Sequence, residues 1–175
     1  MILFRQTPIG RPFLWEIASQ PEGRWHGSGE GPAHYFADTP DGAWAEFLKH
    51  SEIVDIDELK DIKRWVWAVE VNIEPVSILN QGLDRKILTG NKKTYGICQK
   101  LARHLRGEGV TAIVAPSAAL RAGEANGWNL NNGLQPASPR DGRVFVVFGA
   151  LATAVAWLIG TASPPEYMLD KCRYF

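Results

Sequence analysis

The sequence predicts an α+β fold, a single mixed α/β domain over residues 1–175. Three observations predict it. Short stretches alternate between apolar and polar residues, most clearly Lys63 to Asn72, which sets Trp65, Trp67, Val69 and Val71 on one strand face. Two longer stretches carry the 3.6-residue period of amphipathic helices, and these are interspersed with the strands. No internal repeat or low-complexity tract divides the chain, and its 175 residues suffice for one sizeable core.

Ile2 to Thr7 reads as the first strand, with Arg5 embedded in it and Pro8, which lacks an N–H, closing it. Gly10 to Gly31 is rich in Gly and Pro and reads as a long irregular segment. Its Phe13, Trp15, Ile17 and Trp25 favour a packed functional loop. Ala33 to Ala37 is a short strand. A helix follows, capped by Thr39 and opened by Pro40, whose missing N–H costs nothing in the first turn. Ala43, Trp44, Phe47 and Leu48 form its apolar stripe, and Glu46 falls outside the centre of that stripe, where a carboxylate is ordinarily solvated.

Beyond the Lys63–Asn72 strand, Val76 to Leu79 reads as another. Thr94 to Arg106 is a helix with Ile97, Cys98, Leu101, Ala102 and Leu105 facing inward, ended by Gly107. Val110 to Ala115 is a buried strand running into Pro116-Ser117. Gly123 to Gly142 is polar and rich in Asn, Gly and Pro, a loop or excursion. Val144 to Phe148 is a further strand, and the tail holds Pro164-Pro165 and a short final helix. Val144 to Gly160 carries no charge, but it is shorter than the roughly 18 residues of a membrane helix. Its β-rich start and its Gly149 and Thr153 favour two buried elements, so no membrane span is expected.

Composition narrows the function. The formal net charge is zero, which does not favour a direct nucleic-acid partner. Cys98 and Cys172 do not make a disulfide framework and fit the reducing cytoplasm, as buried or bystander thiols. The start MILFRQTPIG has an arginine and no apolar h-region, unlike a signal peptide. His26, His34, His50 and His104 lack paired metal-ligand spacing, so no metal is expected. GSGEG does not enter a helix as a dinucleotide-binding loop does, and neither a P-loop nor a G-x-S-x-G elbow occurs.

What remains is a set of polar residues at regular intervals. Arg24, Tyr35 and Glu46 are each eleven residues apart, on the glycine-rich loop, the short strand and the capped helix. Glu46 offers a carboxylate to a developing positive charge or a hydroxyl. Arg5 and Arg24 offer forked, charge-assisted hydrogen bonds to phosphates. Tyr35 offers a ring to stack on an aromatic group, or a hydroxyl. Ser117, after a proline at the end of a buried strand, either bonds a ligand or caps the next turn. Such residues more often serve as solvated charges, core aromatics and caps, so spacing alone leaves an anionic, partly cationic or aromatic ligand as one reading among two.

Together these positions resemble the RES domain family: Arg5 in FRQT, GRW at Gly23–Trp25, Tyr35 in HYFADTP, Glu46 in AWAEF, Tyr95 and Gln99 in TYGICQKLARHLRGEGV, and Ser117 in IVAPSA. The resemblance covers about residues 2–120, and the order and spacing of the pieces carry it. His26 stands where the family usually has asparagine after GRW, and Glu22 where glycine precedes it. Both departures lie in the glycine-rich loop. The resemblance implies an ADP-ribosyltransferase-like fold and cleavage of the nicotinamide–ribose bond of NAD. Inorganic phosphate would be the co-substrate and acceptor, giving nicotinamide and ADP-ribose 1″-phosphate, with no cofactor beyond these. It implies a toxin held inactive by a helix-turn-helix antitoxin that covers the site. Glu46, Arg24 and Ser117 would then be catalytic, and Arg5, Arg24 and Tyr35 would bind substrate. Two alternatives stay open: transfer of ADP-ribose to a protein or RNA, and a catalytically inactive binding domain.

Overall fold

Strand β1 (Ile2–Pro8) is hydrogen-bonded on one side to β3 (Arg64–Glu70) along its whole length, Ile2 opposite Glu70 through Pro8 opposite Arg64. On its other side it meets β2 (Ala33–Ala37) at a single pair, Phe4 with Ala37. The structure is a computed structural model and describes residues 1–14, 20–151 and 153–174. Trp15 and Ile17, expected in the packed loop, lie outside the described residues.

Around β1 a seven-stranded sheet is built, in the order β4 (Val76–Ser77), β5 (Ala112–Pro116), β8 (Arg143–Phe148), β2, β1, β3, β9 (Val155–Ala162). All pairings are antiparallel except β4 with β5. This is a mixed α/β domain with a mostly antiparallel sheet. Helix α1 (Pro40–His50) starts where expected: the Thr39 hydroxyl accepts the Gly42 N–H at 3.0 Å. Short α2 (Ile56–Leu59) and α3 (Arg85–Leu88), longer α4 (Tyr95–Gly107) and short α5 (Met168–Lys171) complete the described helices.

Two apolar clusters pack on one side of the sheet, and a third on the other. Trp25, Ile78, Leu88, Cys98, Ala102 and Leu105 join Ile113, Val144, Val146 and Phe148 beneath α3 and α4. Trp44, Ala45, Leu48, Val66, Leu120 and Met168 hold α1 and α5. Leu3, Phe36, Val69, Val71, Phe145 and Val147 form the third, with Phe13 and Leu14 of the long loop packed on it. Cys98 and Cys172 are buried free thiols.

Several elements differ from their sequence reading. β3 is buried on both faces, since Val66 packs toward α1 while Val69 packs the other way. β4 stops at Ser77, and a 3₁₀ turn over Ile78–Gln81 ends at Gly82 with φ 74°, a left-handed conformation suited to glycine. Ile97 is exposed, because the buried stripe of α4 is the narrower line of Cys98, Ala102 and Leu105. The uncharged stretch after Val144 does form two strands, but the second, β9, is not buried. It is the sheet's edge, bonded only to β3, and Trp157, Leu158 and Ile159 face outward. The excursion over Gly123–Gly142 holds a small exposed hairpin, β6 (Trp128–Leu130) with β7 (Leu134–Pro136). Among the described residues no helix is long and apolar enough to cross a membrane.

Candidate active site

Because β1 and β2 share only the Phe4–Ala37 pair, they part beyond it, and the sheet opens into a cleft of about 410 Å³. Consecutive residues of β1, Phe4 through Pro8, line it, as do Tyr35, Phe36 and Ala37 of β2. An intact strand shows alternate residues to each face. Runs of consecutive residues line a wall where the strand edge itself is exposed. The volume lies within the range of about 300–1,000 Å³ usual for small-molecule sites.

Helix α1 forms a second wall with Ala43, Glu46, Phe47, Lys49 and His50. The Glu46 side chain is about a quarter exposed, and that exposure is toward the cleft. The Ser117 hydroxyl donates to its Oε1 at 3.1 Å, and Oε2 lies 3.5 Å from His50 Nε2. Burial by itself raises the pKa of Glu46, but His50, Ser117 and Lys49 more than offset it, leaving the carboxyl below its ordinary range. Ser117 stands behind the wall, between Pro116 and Ala118, which face the cleft. Its oxygen accepts the N–H groups of Ala119 at 3.2 Å and Leu120 at 3.0 Å. Of the two roles open for Ser117, the structure shows the cap on the turn after β5, and the same hydroxyl also steadies the Glu46 carboxylate. Lys49, buried, donates to the Ala118 carbonyl at 2.6 Å, and burial lowers its pKa to about 8.

The glycine-rich loop supplies the third wall. Gly23 and His26 pair as a miniature bridge, and Gln99 of α4 donates to the carbonyls of both, at 2.9 and 3.3 Å. Arg24 is buried, with its guanidinium stacked 4.7 Å above the centre of the Tyr95 ring. It donates to the Ile87 carbonyl (3.2 Å), the Thr94 hydroxyl (3.0 Å) and the Gly90 carbonyl (2.5 Å). Three of its five N–H groups therefore hold the chain between α3 and α4. Tyr35 is half-buried. Its hydroxyl accepts the Trp25 N–H at 3.1 Å and lies 2.9 Å from His26 Nδ1. Burial pushes its pKa well up.

Arg5 differs from Arg24. Its guanidinium lies 5.9 Å from the Phe36 ring centre, and its buried Nη1 has no hydrogen-bond partner among the described residues. Burial lowers its pKa to about 10. A guanidinium with one buried N–H group lacking an acceptor among the described residues, beside an open cleft, suits an incoming anion.

Arg5, Arg24, Tyr35 and Glu46 thus line one cleft, with Ser117 bonded to Glu46 from behind. Sequence reasoning passed over Lys49 and His50, although three- and four-residue spacing from Glu46 puts both beside it. Arg64, at the head of β3, also lines the cleft, bonded to Gln6 and stacked 4.4 Å above Phe47. Only the pairing of β1 with β3 brings it there, and periodicity carries no trace of that. Among the described residues no group of three or more His, Cys, Asp or Glu is arranged to hold a metal ion.

The RES domain family model matches residues 5–153. Among solved structures, the crystal structure of the M. tuberculosis MbcT–MbcA toxin–antitoxin complex is similar, with a TM-score of 0.64. The match covers 97% of this chain and 86% of that one at 14% identity, a likeness of fold. No curated protein matches.

Proposed function

The chain belongs to the RES domain family, and we propose that it is the toxin of a toxin–antitoxin pair that breaks the nicotinamide–ribose bond of NAD with inorganic phosphate as acceptor. The observation that carries this reading is the pairing, in one cleft, of a carboxylate fixed by Ser117 with the Arg5 guanidinium, whose buried Nη1 has no partner among the described residues. NAD presents the complementary charges, a cationic nicotinamide ribose and an anionic pyrophosphate.

In this reading the pyrophosphate accepts hydrogen bonds from Arg5, and Arg24 adds positive charge from behind its Tyr95 stack. The Tyr35 ring flanks the nicotinamide. The bond from C1″ of the ribose to the ring nitrogen breaks with its electron pair going to nicotinamide. That nitrogen was cationic, so it leaves neutral without needing a proton. Positive charge grows on C1″ and the ribose ring oxygen, and the Glu46 carboxylate stabilises it electrostatically. A phosphate oxygen then forms the new bond to C1″. Lys49 and His50 flank Glu46 in the same wall and suit an anionic acceptor there. An antitoxin covering the cleft would hold the enzyme inactive, and the likeness to a toxin from a toxin–antitoxin complex supports such a partner.

Incubating the purified protein with NAD, with and without phosphate, and identifying products by mass tests this reading. Phosphate-dependent formation of ADP-ribose 1″-phosphate is expected. Intact NAD in both arms overturns the enzymatic claim. Free ADP-ribose formed without phosphate makes water the acceptor, and label from NAD left on a macromolecule makes the reaction a transfer.

A further inference from the structure

His26 is 2% exposed and held at both ring nitrogens. Nε2 lies 2.9 Å from the Pro21 carbonyl oxygen, and Nδ1 lies 2.9 Å from the Tyr35 hydroxyl. A carbonyl oxygen only accepts, so Nε2 carries a proton. In a neutral imidazole Nδ1 is then a bare lone pair, and the Tyr35 hydroxyl must donate to it. The same hydroxyl accepts the Trp25 N–H at 3.1 Å. Its proton is therefore committed to His26, away from the cleft that its ring lines. A cationic His26 would reverse this. With N–H at both nitrogens, the Tyr35 oxygen would receive two donors, and its own proton would have to turn elsewhere.

We propose that His26 is a positioning residue that makes Tyr35 a fixed aromatic wall, presenting a ring face to the substrate and withholding its phenolic proton. The proposal rests on the NAD reading of the cleft for its consequence, though not for its geometry. Three features support it. A methyl group on Gly23 would lie 2.6 Å from the Tyr35 hydroxyl and 2.9 Å from the His26 ring, so the loop is closed tightly over this pair. Gln99 fixes the backbone of Gly23 and His26 from α4. Burial favours the neutral imidazole, as does Arg106, against the opposing pull of the Pro21 carbonyl, Glu30 and Glu22. With histidine here, one side chain spans from Tyr35 to Pro21 and joins β2 to the segment just before Gly23.

Nitrogen-15 NMR of the histidines in the full chain, with His26 assigned by the signal lost in His26→Gln, reads the tautomer directly. A neutral ring protonated at Nε2 is expected near pH 7, and in Tyr35→Phe the Nδ1 resonance should move as it loses its donor. In parallel, NAD kinetics on His26→Gln, Tyr35→Phe and the double variant read the coupling. His26→Gln should raise KM by roughly tenfold with a much smaller change in kcat, the signature of lost substrate positioning. In the Tyr35→Phe background the same substitution should add little. A ring protonated at Nδ1, or cationic at neutral pH, overturns the proposal, and so do independent, multiplicative effects of the two substitutions. Should His26→Gln fail to fold, the His26 ring is assigned by backbone-to-ring correlations in the parent protein, and the Tyr35→Phe resonance shift decides. If NAD is not turned over, the functional reading fails while the tautomer result still judges the hydrogen-bond assignment.

Discussion

Glu46 sits off the centre of its helix's apolar stripe, yet its carboxylate is held at one oxygen by Ser117 and flanked at the other by His50. Glu46→Gln keeps an acceptor for Ser117 but removes the charge. It is expected to lower kcat for NAD cleavage by about 10²–10³-fold, the scale of one lost electrostatic stabiliser, while thermal unfolding shifts little. Ser117→Ala loses both the carboxylate contact and the cap on Ala119 and Leu120. About 1–2 kcal/mol of stability should go with it, measured by urea unfolding, together with part of kcat. Lys49 gives a pH signature. Its folded pKa of about 8 lies below the ordinary 10.5, so the unfolded chain binds the extra proton between those values. Stability from this group therefore rises as pH climbs from about 8 toward 10.5, and Lys49→Met should flatten that slope in unfolding midpoints measured across the window. What the sequence conveyed at this scale was uneven. The eleven-residue intervals pointed to Arg24, Tyr35 and Glu46, whereas helical periodicity alone would have left Glu46 in solvent. A stripe tells which face packs. It does not tell which off-stripe residue meets a concave wall.

The element that makes the cleft is one that fails to form: the ladder between β1 and β2, which stops after a single pair. Each strand was legible from its own residues, but their parting was not, because pairing is a property of two segments distant in sequence. The same holds for β9, whose apolar, uncharged sequence reads as buried and whose place at the edge depends on β3 having only one free side. Helix α4 was read with too wide a stripe, and Ile97 faces solvent. The loop against the split invites its own test. A side chain at Gly23 would come 2.6 Å from the Tyr35 hydroxyl. Gly23→Ala must therefore push Tyr35 or the loop aside, with a cost of about 1–3 kcal/mol in denaturant unfolding. A KM for NAD raised well beyond any change in kcat should accompany it, since the displaced group is a wall of the cleft and the Glu46 side remains in place.

At the scale of the whole molecule, β1, the glycine-rich loop, β2, α1 and the head of β3 all line the split, so the cleft walls come from parts of the chain far apart in sequence. Arg24 ties the glycine-rich loop to the segment leading from α3 into α4. It was expected as a clamp on substrate phosphate. In the structure it stands in the cleft wall with three of its N–H groups on Ile87, Gly90 and Thr94 and its plane against Tyr95. Arg5, by contrast, has a buried N–H group unmatched among the described residues. Two arginines equal in the sequence therefore differ in what they can do for a ligand. Arg24→Met removes three hydrogen bonds from partly buried acceptors, of which the Thr94 hydroxyl and the Ile87 carbonyl keep other partners, and should cost about 3 kcal/mol, read as a fall in Tm of several degrees together with loss of activity. Arg5→Met removes a guanidinium whose buried Nη1 no described residue satisfies. It should leave Tm unchanged or slightly raised, because no internal hydrogen bond of that nitrogen is lost and a desolvation penalty disappears. Its KM for NAD should nevertheless rise by more than tenfold, the loss of one charge-assisted contact to phosphate. If instead Arg5→Met unfolds the protein while Arg24→Met leaves Tm intact, the division of labour between scaffold and ligand is the reverse of the one argued from their hydrogen bonds.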